Sequence, residues 1–177
     1  PLKIVASDFY ALESVVFSSG PLRPAVAASM SLPVIFEPVL IEGRSLVDGG
    51  LTNPLPFDLI ADEADVLVAI DVSGSPVPSP SRARPTAIEA LFASSFLFER
   101  SIVREKLQSH RPDIYIDAGT GRYQALEFLK VRQILAAARL AQDQLRRDLG
   151  RLLEMPVVAH EVAALPPQEP AGRRMRR

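Results

Sequence analysis

Apolar positions along the chain change their period several times, and each change predicts an element. Residues 4–6 read as a strand that ends at the polar pair Ser7-Asp8, and 14–17 as a second short strand, so a hairpin is expected near the start. Over 22–30 a helix is predicted, with Ala25, Ala28, Ser29 and Leu32 at the i, i+3, i+4, i+7 spacing of one face. A face this small suits close packing against another backbone. Residues 44–47 predict a further strand, and Asn53 followed by Pro54 reads as the N-cap and first position of a helix over 54–63. The unbroken apolar run 66–70 has the character of a buried parallel strand. A helix over 88–108, a strand over 113–117, a turn over 118–121 and a long helix over 125–153 complete the pattern. Strand and helix alternate, which predicts an α/β fold.

Between the run 66–70 and the helix that follows, Pro76, Pro78, Pro80 and Pro85 exclude regular structure and predict a loop or hinge. The apolar helix beyond it carries Leu91, Phe92, Phe96, Leu97 and Phe98; core packing and an acyl-chain wall both remain open for these rings. The expected organisation is one domain over 1–155 and a Pro-, Ala- and Arg-rich tail over 156–177 without fixed structure. With a net charge of −1 over 177 residues and no basic stripe interleaved with aromatics, nucleic-acid binding is not expected. The absence of cysteine removes disulfides, thiolate metal sites and a cysteine nucleophile. No apolar run approaches the roughly 20 residues of a membrane span, and a cytoplasmic setting is the default expectation.

The chemistry concentrates between Ala27 and Pro56. Asp48 follows an apolar strand and precedes Gly49 and Gly50, so its carboxylate is expected to project from a strand end, where glycines let other segments approach closely. Around it stand Ala28-Ser29, Leu32-Pro33, Phe36-Glu37-Pro38-Val39, a hairpin through Gly43, then Asn53 and Leu55-Pro56. In this order the segments resemble the second half of the patatin-like phospholipase domain.

That resemblance implies a partial three-layer fold, a mostly parallel sheet flanked by helices, and a lipid acyl hydrolase that uses a Ser-Asp dyad and no cofactor. Asp48 would be the dyad aspartate, with Gly49, Gly50 and Asn53 supporting the motif. A carboxylate of ordinary pKa about 3.9 is a weak base beside imidazole at about 6.5, so orientation and oxyanion stabilisation must supply much of the rate. The chain holds neither a G-x-S-x-G elbow nor a glycine-rich oxyanion loop; Ser73 and Ser75 flank Gly74, yet no glycine follows Ser75 by two. The nucleophile is therefore expected in an upstream half of the same protein, and this chain alone is expected to be inactive. Implied partners are a lipid or other ester and, through peripheral contact, a membrane surface.

Two alternatives stay open: a non-catalytic remnant that binds lipid or a partner, and a metal-binding module. For the latter, Asp71, Ser73 and Ser75 at a strand end resemble the metal-dependent adhesion motif of von Willebrand factor A domains, whose oxygen ligands suit Mg²⁺. His110 and His160 lack a carboxylate or cysteine at triad or metal-ligand spacing, and a capping or surface role is expected of both.

Overall fold

The computed structural model describes residues 1–73, 84, 86–121, 123 and 128–153. Strand β1 (Ile4–Asp8) turns back into β2 (Glu13–Phe17), and helix α1 (Leu22–Ser29) leads to β3 (Val39–Ile41) and β4 (Arg44–Asp48). Two short 3-10 helices follow, Gly49–Leu51 and Phe57–Glu63. Strand β5 (Val68–Asp71), helix α2 (Ala87–Ser109) and strand β6 (Ile114–Asp117) come next. A 3-10 turn (Phe128–Lys130) then opens α3 (Val131–Ala137), and α4 (Arg139–Leu152) ends the described chain.

The α/β character stands, but the expected mostly parallel sheet does not. The main sheet has four strands in the order β2-β1-β4-β3, every pair antiparallel. Connection length explains two of its three pairs, which are hairpins, since a hairpin reverses the strand direction. Between Ile41 and Arg44 the turn is Glu42-Gly43, with φ of 51° and 79°. Two consecutive positive φ values give the twist that a two-residue hairpin needs, and glycine fits the second without strain. The tip of the first hairpin is held by Asp8, whose Oδ1 accepts from the backbone N–H groups of Tyr10 and Ala11, both at 3.0 Å. Among the described residues only β5 and β6 run parallel, as a separate two-stranded sheet joined through α2. A parallel pair requires such a long crossover.

Two other expectations change. The helix over 54–63 starts later, at Phe57, and is 3-10. Pro54 and Pro56 each lack a donor, and Leu55, which precedes a proline, is driven from helical angles. Asn53 is accordingly not a helix N-cap, and Pro56 holds that place. The long helix over 125–153 divides into a 3-10 turn and two helices that meet at Ala138, while 124–127 lie outside the described residues. So do the proline-rich stretch 74–83 and the tail from 154 onward.

Among the described residues the buried apolar side chains form two clusters. Beneath the main sheet, Ala6, Ala28 and Leu46 are fully buried and are packed by Val15, Phe17, Val39 and Ile41. Ala28 lets α1 lie close to the sheet, as its small face predicted; burying Leu46 contributes about 1.5–3 kcal/mol. The second cluster, Leu55, Phe57, Leu67, Ala69 and Val103, joins the smaller sheet to α2. Among the described residues no helix is long and apolar enough to cross a membrane.

Candidate active site around Asp48

Asp48 is the last residue of β4, and its backbone is fixed on both sides. Its N–H donates to the Ser31 carbonyl at 3.0 Å, and its carbonyl accepts from the Ser7 hydroxyl at 2.8 Å. The side chain is fixed as well, because Oδ1 accepts from the Gly50 N–H at 2.7 Å. Oδ2 makes no hydrogen bond among the described residues. Burial pushes the carboxyl above its ordinary range, and the Gly50 hydrogen bond opposes that rise.

The two glycines serve space, since neither has a positive φ. A Cβ on Gly49 would lie 2.2 Å from the Val5 carbonyl oxygen and 2.6 Å from its carbon, so only glycine lets this turn press against β1. On Gly50 a Cβ would stand 3.1 Å from Asp48 Oδ1 and 3.5 Å from the Glu99 carboxyl. Helix α2 thus brings a second acid up to the Asp48 turn. Glu99 makes no hydrogen bond or ion pair among the described residues. Burial, then the charges of Asp48 and Asp71, push its pKa up to about 7.

Asn53 lies apart from this carboxylate, in a second cluster. Its side-chain oxygen accepts from Lys106 Nζ, and its Nδ2 faces Asp58 at 3.4 Å. Lys106 also bonds Asp58 at 2.7 Å and the Leu55 carbonyl at 3.1 Å, and it lies over the Phe57 ring at 5.4 Å from the centroid. Burial works against the Asp58 charge, but the hydrogen bond and charge of Lys106 outweigh it and hold its pKa low. Asn53 and Lys106 therefore anchor the loop after Gly50 to α2.

The alternative metal set is only partly described. Asp71 is 2% exposed, with Oδ1 accepting from the Ser73 N–H at 2.8 Å. Oδ2 accepts from the Tyr115 hydroxyl at 2.9 Å and from Arg100 at 3.3 Å. Burial raises its pKa, but hydrogen bonds from Ser73 and Tyr115 and the charge of Arg100 together carry it below the ordinary value. Both oxygens are thus engaged by the protein, and Ser75 lies outside the described residues. His110 is exposed at the end of α2, its ring beside Ser109 at 3.2 Å, and His160 lies outside the described residues.

Sequence reasoning missed Glu99 and Lys106 as neighbours of the Asp48 loop. Phe96, Glu99, Val103 and Lys106 recur at intervals of three and four, so the two charged residues stand on the inward stripe of α2. That spacing was the available signal. Ser7 and Thr52, treated below, gave none.

Residues 3–61, which include the Asp48 turn, match the model of the patatin-like phospholipase family. An uncharacterized NTE family protein of Mycobacterium tuberculosis is 35% identical over 113 residues, covering 60% of this chain and 31% of that protein. A second, from Mycobacterium bovis, is 33% identical over 76 residues, 42% of this chain and 13% of the relative. The chain thus spans about a third or less of the length of these relatives. The chain is similar to these proteins over the stretches matched.

Proposed function

We propose that this chain supplies the aspartate of a Ser-Asp dyad in a lipid ester hydrolase, with Asp48 as general base. The observation that carries the reading is the state of its carboxylate: Oδ1 is held by Gly50, and Oδ2 is unengaged among the described residues. A serine hydroxyl at Oδ2 would give up its proton to Asp48 as its oxygen attacks the ester carbonyl. The proton then passes to the departing alcohol, and water, activated in the same way, releases the acid. Burial of Asp48 raises its basicity, which suits proton abstraction near neutral pH.

No G-x-S-x-G elbow occurs in the 177 residues, so the serine and the oxyanion-binding N–H groups are assigned to a stretch of a longer protein outside them. The greater length of the relatives supports this assignment. On this reading the chain alone is inactive. A second reading, a lipid- or partner-binding module without chemistry, is favoured by the apolar hairpin tip, where Phe9, Tyr10 and Leu12 are 51%, 80% and 83% exposed. Exchange of Asp48 for asparagine in a serine-bearing form separates the two, because binding through that tip does not use the carboxylate.

A further inference from the structure

We infer that Ser7 and Thr52 are positioning residues for Asp48, joined with Ser14 in a one-way chain of hydroxyl hydrogen bonds that clamps the turn carrying the carboxylate. The inference rests on the reading of Asp48 as the dyad base. The Ser7 hydroxyl lies 2.8 Å from the Asp48 carbonyl oxygen and 2.8 Å from the Thr52 hydroxyl, which in turn lies 2.8 Å from the Ser14 hydroxyl. Each hydroxyl has one proton to donate. A carbonyl only accepts, so the Ser7 proton goes to Asp48, Thr52 must donate to Ser7, and Ser14 must donate to Thr52. All three directions are fixed by that single end point.

The same end point excludes a proton relay. The chain stops on a backbone carbonyl and not on the carboxylate, so it holds Asp48 without delivering a proton. What it ties together are three separate elements: β1 through Ser7, β2 through Ser14, and the loop after the Gly49–Leu51 turn through Thr52. Thr52 closes that turn a second time, its N–H donating to the Gly49 carbonyl at 3.2 Å. With Ser7 only 3% exposed, water cannot readily replace its hydroxyl. Removing it frees the peptide between Asp48 and Gly49 to rotate. The Gly50 N–H, which holds Oδ1, follows that peptide.

The test uses amide hydrogen exchange at Gly50 and a carbon-13 titration of the Asp48 carboxyl, both by NMR on the 177-residue chain. In Ser7→Ala, Gly50 exchange should quicken by about tenfold, as expected for loss of one buried hydrogen bond. The Asp48 midpoint should rise as the Gly50 hydrogen bond weakens, while the Ile114 amide, bonded to the Leu67 carbonyl at 3.1 Å in the other sheet, stays unchanged. Ser7→Thr, which retains the hydroxyl, should restore both values. Thr52→Val should quicken Gly50 exchange by about threefold, since the last link to Asp48 survives, and it carries the test where Ser7→Ala does not fold. Unchanged Gly50 exchange and Asp48 titration in folded Ser7→Ala, or in Thr52→Val where that variant stands in, would overturn the inference. So would a Ser7→Thr variant as perturbed as Ser7→Ala, which would assign the effect to packing. None of these readouts requires ester hydrolysis, so failure of the dyad reading would show separately, as activity retained without the Asp48 carboxylate.

Discussion

Replacing Glu99 with glutamine should stabilise the chain at alkaline pH and leave it nearly unchanged in acid. The Glu99 carboxyl stands beside the Asp48 turn without a hydrogen-bond partner among the described residues, and burial with two neighbouring acids lifts its pKa from the ordinary 4.5 to about 7. A raised carboxyl pKa means that the folded state holds the proton more tightly than the unfolded chain does. The stability that Glu99 contributes is therefore complete below pH 4.5 and is lost as the pH climbs through about 7. At about 1.4 kcal/mol per pH unit, the interval between those values bounds the loss at about 3 kcal/mol. Glu99 is only partly buried, and water reduces this to about 1–2 kcal/mol. Glutamine keeps the shape and removes the ionisation. Denaturant unfolding of both proteins at pH 5.0 and 8.5 should give free energies within about 0.5 kcal/mol of each other in acid, with the variant ahead by about 1–2 kcal/mol in base. A difference that does not change with pH would refute the reasoning, since it would arise from packing and not from the charge.

Two further predictions concern the scaffold. Gly49→Ala should cost about 4 kcal/mol or more, because its Cβ would meet the Val5 backbone at 2.2 Å, and a folded variant within 1 kcal/mol of wild type by thermal or denaturant unfolding would show that β1 yields. Asp71→Asn should destabilise the chain by about 2–3 kcal/mol at pH 7, because the variant removes the charge opposite Arg100 and disturbs the bonds from Ser73 and Tyr115. As the folded pKa of Asp71 lies below its ordinary value, its contribution is present above that value and fades as pH falls through the folded one. The gap between wild type and variant should therefore narrow in strong acid, and a gap that holds constant there would count against the charged contacts.

Local pattern made much of the chain legible. The strand at 4–6, the small-residue helix and the parallel strand at 66–70 all follow from periodicity and residue size, and the structure has β1, α1 and β5 there. Sheet direction was not legible in the same way. The hairpin turn Glu42-Gly43 was visible, yet the family resemblance pointed to a parallel sheet, and the short connections prevailed. Pro56 delayed the helix expected after Asn53 to Phe57, a case in which the residue before a proline outweighed an N-cap signal. At the site, Asp48 stood out because glycines follow it. Ser7, Thr52 and Glu99 did not, since their roles arise from contacts 41, 45 and about 50 residues away in sequence that no local pattern encodes.

The central claim is that Asp48 is the base of an acyl hydrolase. It is tested most directly by ester hydrolysis in a serine-bearing form of the protein, comparing wild type with Asp48→Asn. Asparagine preserves the side chain's size while removing its basicity, so the fold should survive and kcat/KM should fall by roughly 10³-fold or more. In the wild type the rate should rise with pH through one ionisation displaced upward from the ordinary carboxylate range, because burial raises the Asp48 pKa. Activity within a few fold of wild type in a folded Asp48→Asn protein would contradict the assignment.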